Sequence, residues 1–138
     1  MQTDCFDDSF YSAFVRMLTN SKQQLIVAAA RHDLTIMQAL TLLHMRSETL
    51  TMGDFSKLFA CDAGNITGII DGLEQKMLVS RQPHPDDKRI KIIQLEAAGA
   101  TLQTALLHDL ASNGNVAFGA LDSDERCAFA RLIKKIAG

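Results

Sequence analysis

Apolar residues recur every three or four positions along this chain, except between residues 78 and 95, where they alternate with polar ones. That one change of period constrains the fold more than any other feature. Steps of three and four line one face of a helix, whereas alternation lines one face of a strand. A mainly α chain interrupted by one small β element is therefore expected. Leu78-Val79-Ser80-Arg81-Gln82 and Ile90-Lys91-Ile92-Ile93-Gln94-Leu95 read as the two strands of a hairpin. The intervening Pro83-His84-Pro85-Asp86-Asp87-Lys88-Arg89 reads as a long polar loop stiffened by two prolines.

The helical pattern divides at recognisable punctuation. Phe6, Phe10, Phe14, Met17, Leu18, Leu25 and Ile26 predict one long helix, about Asp7 to Arg31. Asp33-Leu34-Thr35 breaks it, and Thr35 can N-cap a second helix carrying Met37, Leu40, Leu43 and His44, ending near Arg46-Ser47. Thr51 followed by Asp54 has the spacing of a capping box. A short helix from Gly53 to Phe59 should bury Phe55 and Leu58. Cys61-Asp62-Ala63 forms the next turn, with Asp62 as the cap of a helix running to about Lys76. Beyond the hairpin, Ala97 to about Asn113 is helical, with Leu102, Leu106, Leu107 and Leu110 on one side, and Asn113-Gly114-Asn115 breaks it. The last helix starts at Asp122-Ser123-Asp124-Glu125 and ends with Lys134-Lys135, acids first and bases last, as the helix dipole prefers. The order is that of a helix-turn-helix followed by a β-wing, flanked by long helices (about 1–33 and 97–138) around a winged region of about 34–96.

Size and composition exclude several classes. A chain of 138 residues makes one domain, with or without helical arms. With 47% hydrophobic and 22% charged residues the balance is globular, and a net charge of -2 excludes a polycation. No apolar run reaches the length of about 18 residues that a membrane span needs. The polar start Met1-Gln2-Thr3-Asp4 speaks against a secretory signal, so a cytoplasmic protein is expected. Cys5, Cys61 and Cys127 are far apart and form no C-x-x-C, which speaks against a disulfide framework or a zinc knuckle. There is no Gly-rich phosphate loop, Gly-x-Ser-x-Gly or His-Glu-x-x-His, so neither an enzyme nor a bound cofactor or metal is expected. His84 lies near Asp86 and Asp87 only because all three share an exposed loop.

The helix after Asp62 carries the most informative surface. Ile66, Ile69, Ile70, Leu73 and Met77 fall on one face, which should be buried. The opposite stripe is Gly64, Gly68, Asp71, Gly72 and Gln75, with Asn65 at its edge. Each glycine costs a helix roughly 1 kcal/mol against alanine. A helix whose backbone must approach a duplex has a reason to carry them. Asn65, Thr67 and Gln75 would then reach base edges or phosphates, with Lys76 and Arg81 close in sequence. At the wing tip, Asp87 could hold Arg89 by a charge-assisted hydrogen bond and present it, beside Lys88, to a minor groove. Charge supports this only weakly. Residues 54–91 hold six basic side chains (Lys57, Lys76, Arg81, Lys88, Arg89, Lys91) and six acidic ones (Asp54, Asp62, Asp71, Glu74, Asp86, Asp87).

Gln38, Ile66-Thr67-Gly68-Ile69-Ile70-Asp71-Gly72-Leu73-Glu74, Leu78-Val79-Ser80-Arg81, Pro85-Asp86-Asp87-Lys88-Arg89 and Leu95-Glu96-Ala97-Ala98-Gly99 together resemble the MarR family of bacterial winged-helix regulators. The resemblance runs in order over nearly the whole chain. It implies that residues 62–76 are a recognition helix, that Asp87 and Arg89 are the wing pair, and that the first and last helices form an obligate dimer. It also implies binding to short palindromes in double-stranded DNA, with release by small phenolic or other aromatic anions. The chain departs from the family where Met77 replaces a glycine, Gly72 an arginine and Glu96 a threonine.

Dimerisation follows from the residues as well. Five of the seven phenylalanines lie in the end segments, with Tyr11, Leu121, Leu132, Ile133 and Ile136. One small domain cannot cover that much apolar surface, and two-fold pairing would bury it while placing two recognition helices about one DNA turn apart. An effector cleft would draw on Arg16, His32, Met37, His44, Met45 and Arg46, with Leu106 or His108 opposite, a cation beside methionines suiting an aromatic carboxylate. The expected function is a homodimeric repressor of transcription. The alternatives are a redox-sensing regulator acting through Cys5 with Cys127 as a distant partner, a metal sensor using His44 and His108, or a winged-helix protein-interaction module without DNA binding.

Overall fold

The computed structural model describes residues 5–45, 49–60, 63–113 and 118–138. Among them, six helices and three strands follow in the order α1 (Asp8–Arg31), α2 (Ile36–His44), β1 (Leu50–Thr51), α3 (Met52–Phe59), α4 (Ala63–Gln75), β2 (Val79–Pro83), β3 (Lys91–Leu95), α5 (Ala97–Asn113) and α6 (Ser123–Ala137). The mainly helical fold with a wing is thus as expected. The proposed cap at Asp62, the turn at Cys61, the end of α2 at Arg46 and the break at Gly114-Asn115 lie outside the described residues.

Three capping boxes set helix starts. The Thr35 hydroxyl accepts from the Gln38 N–H at 3.2 Å while the Gln38 side chain accepts from the Thr35 N–H at 3.0 Å. Thr51 and Asp54 exchange the same pair of bonds at α3, and Asp122 and Glu125 at α6. Each box satisfies two backbone donors that a helix start leaves open.

The sheet is antiparallel in the order β1-β3-β2. Leu50 and Thr51 pair with Ile93 and Ile92, and β2 pairs with β3 from Val79–Leu95 to Pro83–Lys91. The third strand was not foreseen. Two residues are too few to show an alternating pattern, and only the partner strand makes them a strand.

The described chain divides into two compact units. One combines α1 up to Gln24 with the segment from Leu110 onward, and the other runs from Leu25 to Asp109. The second unit holds the helix-turn-helix and the wing. Phe55, Leu42, Ile66, Ile70, Leu73, Val79 and Ile93 are fully buried in it. The buried Gln103 amide of α5 donates to the Leu42 carbonyl at 2.6 Å, satisfying the end of α2. Two expected core residues are not in it. Leu58 is exposed, and Met77 is 76% exposed because it stands beyond the end of α4.

In the first unit, Phe10 meets Phe6 edge-on at 4.7 Å and stacks on Phe14 at 5.8 Å, and Phe118 lies 5.3 Å from Phe129. Phe6, Tyr11, Leu132, Ile133 and Ile136 are nonetheless exposed, and α6 buries none of its residues. An apolar groove of about 470 Å³ in this unit is lined by Met17, Leu110, Phe118, Leu121, Phe129 and Ile133 among others. Among the described residues no helix is long and apolar enough to cross a membrane.

Candidate nucleic-acid interface

Helix α4 buries Ile66, Ile70 and Leu73 and half-buries Ile69. Helical spacing then turns Gly64, Asn65, Thr67, Gly68, Asp71 and Gln75 outward, and all six are exposed. A β-carbon built on Gly68 meets nothing within 4 Å, so no contact inside the protein requires glycine there. Gly72 differs. Its added β-carbon would lie 2.6 Å from Nε2 of Gln38 in α2. The bare flank seen in the sequence therefore comprises Gly64 and Gly68, while Gly72 makes room for the glutamine that caps α2. The Thr35-x-x-Gln38 spacing carried that signal.

The end of α4 forms a Schellman motif. The Leu78 N–H donates to the Leu73 carbonyl at 3.0 Å and the Met77 N–H to the Glu74 carbonyl at 2.9 Å. Met77 takes the left-handed backbone, with φ at 59°. This is the position where the resembled family carries glycine, and methionine adopts the same turn at a conformational cost. The sharp helix end directs the chain straight into β2.

Two cations near α4 are engaged within the protein. The Lys76 ammonium hydrogen-bonds the Asp33 carbonyl and lies 4.0 Å from the Asp33 carboxylate. On β2, the Arg81 guanidinium donates to Glu74 at 2.6 Å, to Asp71 at 2.5 Å and to the Thr67 carbonyl at 3.5 Å. Lys76 and Arg81, both expected at a DNA interface, thus make bonds that tie α4 to its surroundings. The sequence offered a faint sign of this. Asp71 and Glu74 are three residues apart and so lie close on the helix surface, and one arginine follows on the next strand.

The turn between β2 and β3 is ordered by its own hydrogen bonds. The His84 N–H donates to the Ile90 carbonyl at 2.9 Å, the Ile90 N–H to the Asp87 carbonyl at 3.0 Å, and the Asp86 N–H to His84 Nδ1 at 3.1 Å. Within it, Arg89 Nε and Nη2 each donate to one Asp87 oxygen at 3.0 Å, and the Arg89 N–H adds a third bond at 3.1 Å. This fork holds the Asp87 carboxyl below the usual value of 3.8, the Arg89 side chain being the largest cause, and raises the guanidinium in return. The Arg89 side chain is 90% exposed, and Lys88 beside it is exposed too. The wing therefore presents a preformed cation, while α4 itself contains no basic residue.

The residues considered for an effector fall in both units. Arg16 belongs to the first unit, whereas His32, Met37 and His44 belong to the second, and Arg46 lies outside the described residues. His32 Nε2 is 2.7 Å from Asp109 Oδ2, and His44 meets the Phe59 ring edge-on at 5.4 Å. The Thr41 hydroxyl donates to the Met37 carbonyl at 2.7 Å. Cys5 and Cys127 are both exposed. Among the described residues no three His, Cys, Asp or Glu side chains gather as metal ligands would.

Comparison with known proteins accords with this geometry. Residues 34–91 match the MarR family. The chain is 31% identical over 105 residues to the HTH-type transcriptional repressor NicR of Pseudomonas putida. That stretch covers 75% of this chain and 66% of NicR, just under two thirds of the relative's length. The fold is similar to apo MarR from E. coli, with a TM-score of 0.81 at 22% identity over 99% of this chain and 100% of the other. It is similar to a mutant of that protein solved with operator DNA, with a TM-score of 0.73 at 23% identity over 99% and 100%. Bordetella bronchiseptica BpsR, solved to explain regulation of its DNA binding by 6-hydroxynicotinic acid, gives 0.73 at 21% identity over 95% and 100%.

Proposed function

We propose, from the premise that this chain belongs to the MarR family, that it is a homodimeric repressor of transcription that binds a palindromic operator. One observation carries the reading. A single compact unit combines a helix with an outward face bare at Gly64 and Gly68 and a wing turn that holds Arg89 exposed on Asp87. Such a helix can bring its backbone against base edges in a major groove, where Asn65, Thr67 and Gln75 supply polar groups. Arg89 and Lys88 suit the adjacent minor groove, where negative potential is concentrated. Affinity then comes from fit more than from bulk charge, because few cations face the duplex.

Two copies supply the symmetry that a palindrome reads. The exposed Phe6, Tyr11, Leu132, Ile133 and Ile136 provide apolar surface for pairing through the first unit. An aromatic acid is the effector class we propose, by analogy with what BpsR responds to. Arg16, His32, Met37, His44 and Arg46 are the residues to vary for it. An effector acts only if it binds the DNA-competent and the released arrangements with different affinity.

The test is selection of fragments from sheared host DNA by the purified protein, followed by mobility shifts with Arg89→Ala. Loss of most affinity is expected. Unchanged affinity at low salt overturns readout through the wing, and a wild-type protein that retains no fragment overturns the DNA-binding reading itself. Adding 6-hydroxynicotinic acid to the retained complexes tests the effector class.

A further inference from the structure

We propose that Arg81 is a positioning residue of the interface: by bridging Asp71 and Glu74 it offsets the negative charge of α4 in part and fixes that helix to the first wing strand. The proposal rests on the DNA-binding reading above.

Helix α4 has two carboxylates and no cation of its own. Asp71 is exposed on the side shared by Gly64 and Gly68, so an uncompensated carboxylate there would face the phosphates and repel them. Arg81 reduces that repulsion from within. Its two terminal nitrogens take separate acids, Nη1 on Glu74 and Nη2 on Asp71, and Nη2 also faces the Thr67 carbonyl. Glu74 grips the same residue a second time, its other oxygen accepting the Arg81 backbone N–H at 3.2 Å. Backbone and side chain of one strand residue are therefore both bound to α4. A planar fork offers a separate nitrogen to each carboxylate in a fixed geometry, which the single nitrogen of an ammonium does not reproduce.

The position in the sheet adds leverage. Arg81 is the middle residue of β2 and pairs with the fully buried Ile93 of β3. Fixing Arg81 to α4 fixes the hairpin that carries Arg89 at its turn. The recognition helix and the wing cation then reach the duplex as one body, and the interface loses less conformational freedom on binding.

The experiment compares wild type with Arg81→Met and with the triple variant Arg81→Met/Asp71→Asn/Glu74→Gln, on the fragments the wild type retains. Arg81→Met leaves two uncompensated carboxylates, and binding should weaken by about ten-fold or more. The triple variant removes the repulsion and should return to within about three-fold of wild type, although it has lost the same arginine. A triple variant as weak as Arg81→Met overturns the charge compensation that the proposal requires, and an Arg81→Met variant that binds like wild type overturns the proposal whole. If Arg81→Met fails to fold by circular dichroism, Arg81→Lys takes its place. Lysine keeps the charge and loses the fork, so wild-type affinity for Arg81→Lys overturns the two-pronged bridge that the proposal requires, and clear weakening supports it. Failure of the wild type to bind any duplex overturns the DNA-binding reading and this role together, whereas the variant outcomes overturn this role alone.

Discussion

A β-carbon built on Gly99 would lie 2.1 Å from the carbonyl oxygen of Leu78 and 2.7 Å from Cδ1 of Leu95. The first turn of α5 thus passes the start of the wing through bare backbone. The same Leu78 carbonyl accepts the Glu96 N–H at 3.0 Å, so neither side can retreat without losing a bond. Gly99→Ala should destabilise the protein by about 3 kcal/mol, the upper range for overpacking. Thermal melting checks this, and a melting temperature equal to that of wild type would contradict the close approach.

Met77 holds a left-handed backbone at the end of α4 and is largely exposed. Glycine takes that conformation without the clash between β-carbon and carbonyl, and little packing is lost with the side chain. Met77→Gly should therefore stabilise the fold by about 1 kcal/mol. Urea denaturation should show a higher midpoint with an unchanged slope.

Gly68 separates stability from binding. Alanine there meets nothing in the protein, so Gly68→Ala should raise helix stability by about 1 kcal/mol. If the bare flank lies against DNA, the same methyl group should weaken operator binding. A variant that melts higher and binds as tightly as wild type would remove Gly68 from the interface. Gly72→Ala behaves differently, because the new methyl displaces Gln38 and disrupts the cap of α2, which offsets the gain from alanine.

Acid should weaken the fold through identified carboxylates. Asp54, Asp87 and Asp122 are all held below 3.8, chiefly by the Thr51 N–H, the Arg89 side chain and the Glu125 N–H respectively. A carboxyl with a lower pKa in the folded state binds fewer protons there than in the unfolded chain. Its contribution is present above 3.8 and disappears as pH falls through the folded value. Melting temperature should therefore fall below about pH 4 and vary little with these groups above it. Asp122→Asn retains an N-cap acceptor but not the titration, so its acid slope should be shallower. An identical slope would remove Asp122 from the account.

Much of this architecture is written in local patterns. The hairpin follows from alternation, and the starts of α2, α3 and α6 follow from Thr35, Thr51 and Asp122. The outward face of α4 follows from the spacing of Ile66, Ile70 and Leu73. What the sequence hid depends on contacts between elements. β1 exists only because β3 pairs with it. Gly72 shares the helical face of Gly68 by spacing, yet it is used against Gln38 of another helix. Lys76 and Arg81 have the composition of phosphate ligands, and only their placement beside Asp33, Asp71 and Glu74 reveals the bonds they also make within the protein. Leu58 shows the same limit in reverse, since helical period predicts which face an apolar residue shares but not how far the core extends.

β2 lies at the margin of the sheet, where a row of unpaired backbone donors would invite strands from other molecules. Here Pro83 offers no donor, and the Glu74 carboxylate takes the Arg81 N–H. Both features blunt the β2 edge against cross-β recruitment. Copies of the chain held close together then have less β2 backbone to offer one another for strand pairing.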